Sequence, residues 1–226
     1  MDEKTLTKLF KLVIAAILVL IVVTGGFVIR AMIYKPEVPR TAAERAIMDG
    51  EQAVKSDPKN VNARLGLAAA YAGSGRYGDA KKTLDIAIKL DPKNVKALYM
   101  LGVVYKDQGQ VDKAIETFKK AAAIEGEIGD IYNDIYFELG KTYADKGDYS
   151  KAIESYEKAK NYGIPVYLLI ELAMAYEKTD QIENAKITYL DIIERDIENT
   201  EALDALKRLG VSKDVIEEVQ KSGRGH

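Results

Sequence analysis

Few side chains in this sequence have the types and the spacing that catalysis or metal binding requires. The chain contains no Cys, and its single His is His226, the last of 226 residues. Without Cys there can be no disulfide, no thiolate zinc site and no nucleophilic thiol. An imidazole at a chain end, where termini fray, is poorly placed for buried acid–base chemistry. We therefore predict that the chain is not an enzyme, with no catalytic residue, no cofactor and no metal site.

Two motifs match ligand sites only in part. Residues 73–78, GSGRYG, satisfy the glycine-rich dinucleotide fingerprint. That fingerprint requires a preceding strand, and here the helical segment AAAYA precedes it. Carboxylates cluster in EGEIGDIYND at residues 125–134, but they lack the oxygen spacing of a calcium loop. We interpret the first motif as a turn between helices and the second as part of the chain's helical framework.

The composition indicates a folded protein with little attraction for nucleic acids. Hydrophobic residues make up 47% of the chain and charged residues 30%, which is typical of a globular domain rather than a disordered chain. The 33 Lys and Arg residues oppose 35 Asp and Glu residues, for a net charge of −2. This balance offers no basic surface for phosphate backbones. We expect neither a nucleic-acid partner nor a small-molecule substrate.

The strongest pattern is an internal repeat. The string DPKNV occurs at residues 57–61 and again at 91–95. Downstream, a tyrosine and an alanine nine residues later recur four times, at spacings of 34, 38 and 33 residues. The tyrosines are Tyr71, Tyr105, Tyr143 and Tyr176, and the alanines are Ala80, Ala114, Ala152 and Ala185. A period of this length is the signature of stacked helical units.

Each unit has the pattern of two helices joined by a glycine turn. Apolar residues recur at helical spacing in two blocks, as at Leu98 and Tyr105 and then at Ala114 and Phe118. Gly102 is small where the two helix axes must approach each other. Because one hairpin cannot bury its apolar face alone, the units are predicted to stack. The longer 38-residue spacing predicts either a longer first helix in the third unit or a looser turn before it.

This arrangement resembles the tetratricopeptide repeat family, whose pattern of Leu-Gly, Tyr, Gly, Ala, aromatic residue, Ala and Pro recurs here. The sequence departs from the pattern where Asp180 replaces the turn glycine and Arg64 occupies the Trp position. The resemblance implies an all-α fold, a right-handed α-solenoid of helix-turn-helix repeats. We predict a repeat domain over residues 41–226, with a partial repeat at 41–60, full repeats at 61–94, 95–128, 133–165 and 166–199, and terminal helices at 200–221.

A long apolar segment precedes the repeats. No charge occurs between Lys11 and Arg30, and at about 1.5 Å per residue these residues span about 27 Å, close to the ~30 Å hydrocarbon core of a bilayer. Apolar residues then continue to Tyr34. We predict a transmembrane anchor at residues 12–34, between a tail at 1–11 and a Pro-containing linker at 35–40. A cleaved signal peptide and a buried soluble helix are the alternatives.

The flanking charges leave the orientation of this anchor open. Three basic residues precede the segment and three follow it, so the positive-inside rule does not decide between the two orientations. The short tail favours an N-terminus in the cytoplasm. We therefore expect a single-pass membrane protein whose repeat domain is extracytoplasmic.

The resemblance also implies a binding surface, because in tetratricopeptide repeat arrays the first helix of each unit lines a concave, peptide-binding groove. Carried over by register, the predicted partner-binding residues are Leu65, Lys96, Tyr99, Val103, Lys106, Phe137, Lys141, Tyr167, Ile170 and Met174. They form an apolar and aromatic strip bordered by charges of both signs, which suits an apolar or amphipathic partner segment. The alternative is that several of these side chains only pack against neighbouring helices.

One known binding mode of the family is missing. A subgroup of the family grips a C-terminal carboxylate with Lys and Asn residues, and this sequence has Leu65, Ala69, Met100, Asp134 and Glu138 at those positions. We expect instead a membrane-anchored scaffold, or an assembly or chaperone accessory, whose partners are membrane-associated protein or peptide segments. The alternative function is a structural subunit of a larger membrane complex that uses convex and terminal surfaces.

Overall fold

The computed structural model describes residues 41–124 and 129–223, and all regular structure in these two ranges is helical. The predicted all-α fold is confirmed for this part of the chain. Its helices, in chain order, are α1 (Ala42–Ser56), α2 (Val61–Gly73), α3 (Tyr77–Leu90), α4 (Val95–Asp107), α5 (Val111–Ala122), α6 (Asp130–Asp145), α7 (Tyr149–Lys160), α8 (Val166–Lys178), α9 (Ile182–Arg195), α10 (Thr200–Arg208) and α11 (Lys213–Gly223).

The helices are arranged as successive pairs. Helices α2 and α3, α4 and α5, α6 and α7, and α8 and α9 make the most extensive contacts, and each pair then packs on the next. The first helix of the third pair, α6, has 16 residues, whereas α2, α4 and α8 have 13 each. Of the two alternatives for the long spacing before the third unit, the structure shows the longer first helix, which begins at Asp130. Residues 125–128 lie outside the described residues.

Local sequence signals start and end these helices. The Asn side chains that precede α2, α4 and α10 each accept a hydrogen bond from a backbone N–H three residues later, at 2.9 to 3.1 Å, which is the usual N-cap arrangement. Between the two helices of a pair, the turn residue has a positive φ, at Gly75, Gly109 and Gly147, and Asp180 adopts the same conformation with φ 59°. A short polar side chain tolerates this region better than most.

The core lies between the two helices of each pair, where a small residue faces a large one. A Cβ on Gly102 would lie 2.5 Å from the ring of Phe118, and a Cβ on Gly140 would lie 2.4 Å from the ring of Tyr156. Both rings are fully buried. The missing side chains of the two glycines therefore set how closely α4 approaches α5 and α6 approaches α7.

The buried tyrosines of the third and fourth pairs differ in their hydrogen bonding. The hydroxyl of Tyr189 donates to a carboxylate oxygen of Glu177 at 2.8 Å. The hydroxyl of Tyr156 is buried and has no hydrogen-bond partner among the described residues. Burial raises the pKa of both phenols above the ordinary value, so both are neutral. An unpaired buried hydroxyl lowers the stability of a fold.

No helix within the described ranges is long and apolar enough to cross a bilayer. The predicted anchor at residues 12–34, its tail at 1–11 and the linker at 35–40 all lie outside the described residues.

The contact between Gly102 and Phe118 predicts that replacing this glycine by alanine destabilises the fold, which is the opposite of the usual effect in a helix. Substituting Ala for a helical glycine ordinarily stabilises a helix by roughly 0.5–1 kcal/mol, and Gly66→Ala should do so because nothing lies within 4 Å of its added Cβ. Gly102→Ala should instead lower the free energy of unfolding by about 1–3 kcal/mol, since the new methyl group overlaps the Phe118 ring. Urea unfolding of both variants, followed by circular dichroism, measures the difference. Stabilisation by both substitutions would contradict the close approach of α4 and α5.

The two buried tyrosines predict opposite responses to loss of a hydroxyl. Tyr156→Phe should raise the free energy of unfolding by about 1 kcal/mol, because it removes an unpaired polar atom. Tyr189→Phe should lower it by about 1.5–3 kcal/mol, because it removes a hydrogen bond to a carboxylate. The same urea titration measures both. Equal effects of the two substitutions would show that the hydroxyl of Tyr156 is paired in solution.

Candidate partner-binding face

The first helices of the successive pairs, α2, α4, α6 and α8, contact one another in chain order. Their side chains therefore contribute to one continuous surface. Nine of the ten predicted site residues are at least partly exposed there. We call this surface the first-helix face, and it comprises Lys96, Tyr99, Val103, Lys106, Phe137, Lys141, Tyr167, Ile170 and Met174.

The tenth predicted residue, Leu65, is a core residue, which corrects the prediction. Its exposed fraction is 5%, and it belongs to the buried cluster that also contains Ile47 of α1 and Leu101 of α4. Side chains from the helices on both sides of α2 cover the position that the repeat register assigns to the groove. Leu65 therefore contributes to packing and offers a partner almost no surface.

Aromatic rings occupy the centre of the first-helix face. The rings of Phe137 on α6 and Tyr167 on α8 meet edge to face, with their centroids 4.8 Å apart. Phe137 also packs on the buried ring of Tyr156 at 5.9 Å, while Tyr167 keeps 47% of its surface exposed. On α4, the half-buried ring of Tyr99 lies 6.2 Å from that of Phe118. The rings are thus packed against other side chains on the core side and accessible on the solvent side.

Two lysines of the face pair with carboxylates of the neighbouring unit. Lys106 on α4 forms an ion pair with Glu138 on α6, and both side chains are about one-fifth exposed. Lys141 on α6 lies 3.8 Å from a carboxylate oxygen of Glu171 on α8 and 5.6 Å from the centroid of the Phe137 ring. Partly exposed pairs of this kind stabilise by only about 1 kcal/mol or less. Their main consequence is to align each first helix with the next.

The acidic groups of the face raise the pKa values of the nearby phenols. Burial raises the pKa of Tyr99 to about 12, and the carboxylates of Glu138 and Asp134 add to this shift. Burial and the same two carboxylates also raise the pKa of Tyr167. The pKa of Asp134 is itself raised, by partial burial and by the neighbouring carboxylates of Glu138 and Asp130. The tyrosines are therefore neutral hydrogen-bonding groups beside a negatively charged row.

The remaining predicted residues lie at the edges of the face. Lys96 is exposed, whereas Val103 and Ile170 are half-buried. Met174, 42% exposed, lines an open crevice with Glu177 and Arg208. There Glu177 accepts hydrogen bonds from Tyr189 and Arg208, at 2.8 and 2.9 Å, and the bond from Arg208 holds the pKa of Glu177 below its ordinary value.

The repeat register predicts the residues of this face but not the contacts across it. Neither Glu138 nor Glu171 is among the predicted site residues, yet each pairs with a lysine that is. The paired residues are separated by 30 to 32 positions along the chain, close to the repeat period, and this regular offset is the signal that could have indicated them. In the ranges that the structure describes, no group of three acidic side chains is arranged to hold a metal ion.

Comparison with solved structures shows the same fold in other proteins. A structure of MamA is 26% identical, with a TM-score of 0.56 over 76% of this chain and 86% of that one. MamA 41-end from Desulfovibrio magneticus RS-1 has a TM-score of 0.60 at 20% identity, covering 71% of this chain and 89% of that one. YrrB, described as a TPR protein with an unusual peptide-binding site, has a TM-score of 0.59 at 16% identity, covering 78% of this chain and all of that one.

The family assignment comes from the repeats themselves. No curated protein matches this sequence. Three family models, each described as a tetratricopeptide repeat, match residues 41–89, residues 70–127, and residues 134–162 together with 166–196. These ranges include the helices that carry the first-helix face, and together they span more than half of the chain. The chain belongs to the tetratricopeptide repeat family.

Proposed function

We propose that this protein is a membrane-anchored, non-catalytic interaction protein that binds an apolar segment of a protein partner on the first-helix face. The observation that carries the proposal is the ring pair of Phe137 and Tyr167, in which the half-buried ring of Phe137 supports a Tyr167 side chain that stays 47% exposed. Tetratricopeptide repeat proteins generally mediate protein–protein interactions. The peptide-binding site named for YrrB is an instance of this use on the same fold.

The properties of the face favour an apolar segment over a charged one at its centre. Tyr99, Phe137, Tyr167 and Ile170 present partly buried apolar surface, and an aromatic ring loses little side-chain entropy when it is covered. Rings that are already packed from below lose still less, so more of the burial free energy appears as affinity. Two of the three lysines of the face, Lys106 and Lys141, are already paired with Glu138 and Glu171, so the apolar centre is the main source of attraction.

The anchor would determine which partners the face meets. We place the membrane span at residues 12–34, on the strength of the uncharged run between Lys11 and Arg30, with the repeat domain on the extracytoplasmic side. Tethering to a bilayer raises the effective concentration of the face toward other membrane proteins. The proposed partners are therefore protein or peptide segments at the same membrane.

Loss of an exposed ring should weaken partner binding. A photoreactive amino acid at position 103, on α4 one turn after Tyr99, would identify the partner by crosslinking in intact membranes. Tyr167→Ala should then lower the affinity for that purified partner by about tenfold, since a ring at the centre of an interface commonly contributes more than 1 kcal/mol. Ile187→Ala is the matched control, because Ile187 is 65% exposed on the second helix α9.

An unchanged affinity of the Tyr167→Ala variant would contradict binding on the first-helix face. A loss of affinity in Ile187→Ala alone would instead support the other function, a structural subunit that uses its outer surface. Circular dichroism of both variants checks that each remains folded before affinities are compared.

The absence of Cys makes the membrane topology directly measurable. Ser150→Cys and Thr5→Cys each introduce the single thiol of the chain, one in the repeat domain and one in the tail. We expect a membrane-impermeant maleimide to label Ser150→Cys in intact cells and to label Thr5→Cys only after lysis. The protein should also stay in the membrane fraction after alkaline carbonate extraction. Release by carbonate would contradict the anchor, and the reverse labelling pattern would contradict the orientation.

A further inference from the structure

A row of three carboxylates crosses the middle of the first-helix face. Asp130, Asp134 and Glu138 follow one another at intervals of four residues on α6, so they lie on one side of that helix. Glu138 is neutralised by its ion pair with Lys106. Asp134 is exposed, and no cation of the described residues pairs with it. Partial burial and the neighbouring carboxylates of Glu138 and Asp130 raise the pKa of Asp134.

The dipole of α6 does not offset the repulsion between these neighbouring carboxylates. The positive end of a helix dipole favours an acid in the first turn, which accounts for Asp130, the first residue of α6. The effect falls off within that turn, and Asp134 lies in the second turn. Like charges four residues apart destabilise a helix by a few tenths of a kcal/mol per pair. The acidic row therefore leaves an excess of negative charge on the face.

Aromatic rings flank this charge. Tyr99 lies on α4 and Tyr167 on α8, the two first helices that contact α6. Tyr167 packs on Phe137 at 4.8 Å, and Phe137 follows Asp134 by three residues and so lies on the same side of α6. The carboxylate of Asp134 adds to the raised pKa of both phenols. The face of an aromatic ring attracts cations, and this chain already uses that attraction, since Lys141 lies over the ring of Phe137. Within residues 41–124 and 129–223, no cation lies over Tyr99 or Tyr167.

The type of cation follows from the surroundings. The described residues hold no group of three acidic side chains that could bind a metal ion. One free carboxylate between two aromatic rings suits instead an organic cation, whose flat or methylene-rich body can contact the rings while its charge meets the carboxylate.

We propose that the first-helix face binds a basic side chain, Arg or Lys, of the partner segment, between Tyr99 and Tyr167 and against the carboxylate of Asp134. This inference rests on the proposed function and specifies its partner as a segment in which a basic residue is flanked by apolar ones. The apolar neighbours cover Tyr167 and Ile170, and the basic residue neutralises the acidic row.

A pair of probe peptides that differ only in charge tests this assignment. The probes are acetyl-Ala-Leu-Arg-Leu-Ala-amide and the same peptide with citrulline in place of arginine, titrated into the full chain in detergent micelles. Amide NMR shifts report the dissociation constants, including weak ones. We expect the arginine peptide to bind at least about fivefold more tightly than the citrulline peptide, as a cation–π contact and an ion pair would provide. The shifts should centre on residues 99, 134 and 167.

Two variants test whether Asp134 is responsible for the preference for the arginine peptide. In Asp134→Asn the preference for the arginine peptide should shrink to the smaller part that the ring contacts alone provide, while Asp49→Asn, which changes another exposed helical carboxylate on α1, should keep the wild-type preference. An undiminished preference in Asp134→Asn, equal binding of the two peptides by the wild type, or no shifts with the arginine peptide would each overturn the inference. The partner affinity of Tyr167→Ala tests the proposed function separately, so failure of one does not imply failure of the other.

Discussion

The close approach of the two helices in each pair is the constraint on which the rest of the structure depends. In the second and third pairs a glycine faces an aromatic ring at a distance that leaves no room for a methyl group. Such contacts fix the separation and rotation of the helices, because a packed interior has few alternative arrangements. Each pair then presents one apolar side to the next pair, and the first helices come to lie side by side. A repeat array is stabilised by these nearest-neighbour contacts, since no pair can bury its apolar side alone.

The candidate face is built at the junctions between units rather than within any one of them. The pairs Lys106–Glu138 and Lys141–Glu171 and the ring pair Phe137–Tyr167 each join a first helix to the next one. The same side chains that align the units therefore also make up the surface that we assign to a partner. A surface whose rings and charges are already ordered loses little entropy on binding. Stability and recognition are coupled here because both depend on the registration of α4, α6 and α8.

Several features of the face could be read from the sequence, and others could not. The repeat register predicts that Tyr99, Phe137 and Ile170 share one surface, since they occupy equivalent positions of their repeats. Tyr167 joins this surface because it precedes Ile170 by three residues on the same helix. The same register misplaced Leu65, because burial depends on the helices that flank α2 as well as on its own pattern. The sequence also could not predict that no cation of the described residues pairs with Asp134. Lysines occur close to most carboxylates along the sequence, so sequence distance does not show which charges pair. Only the packing of the helices shows which carboxylates each lysine contacts.

The sequence by itself determined the repeat, the all-helical fold and the absence of thiol chemistry. Periodicity and composition are local properties, and the spacing of apolar residues, the capping asparagines and the turn glycines act over a few residues. The tertiary structure decided that Leu65 is covered, and that Lys106 and Lys141 form ion pairs while Asp134 does not. These outcomes depend on distances between helices of different units, which are set by side-chain volume and close packing rather than by any local pattern.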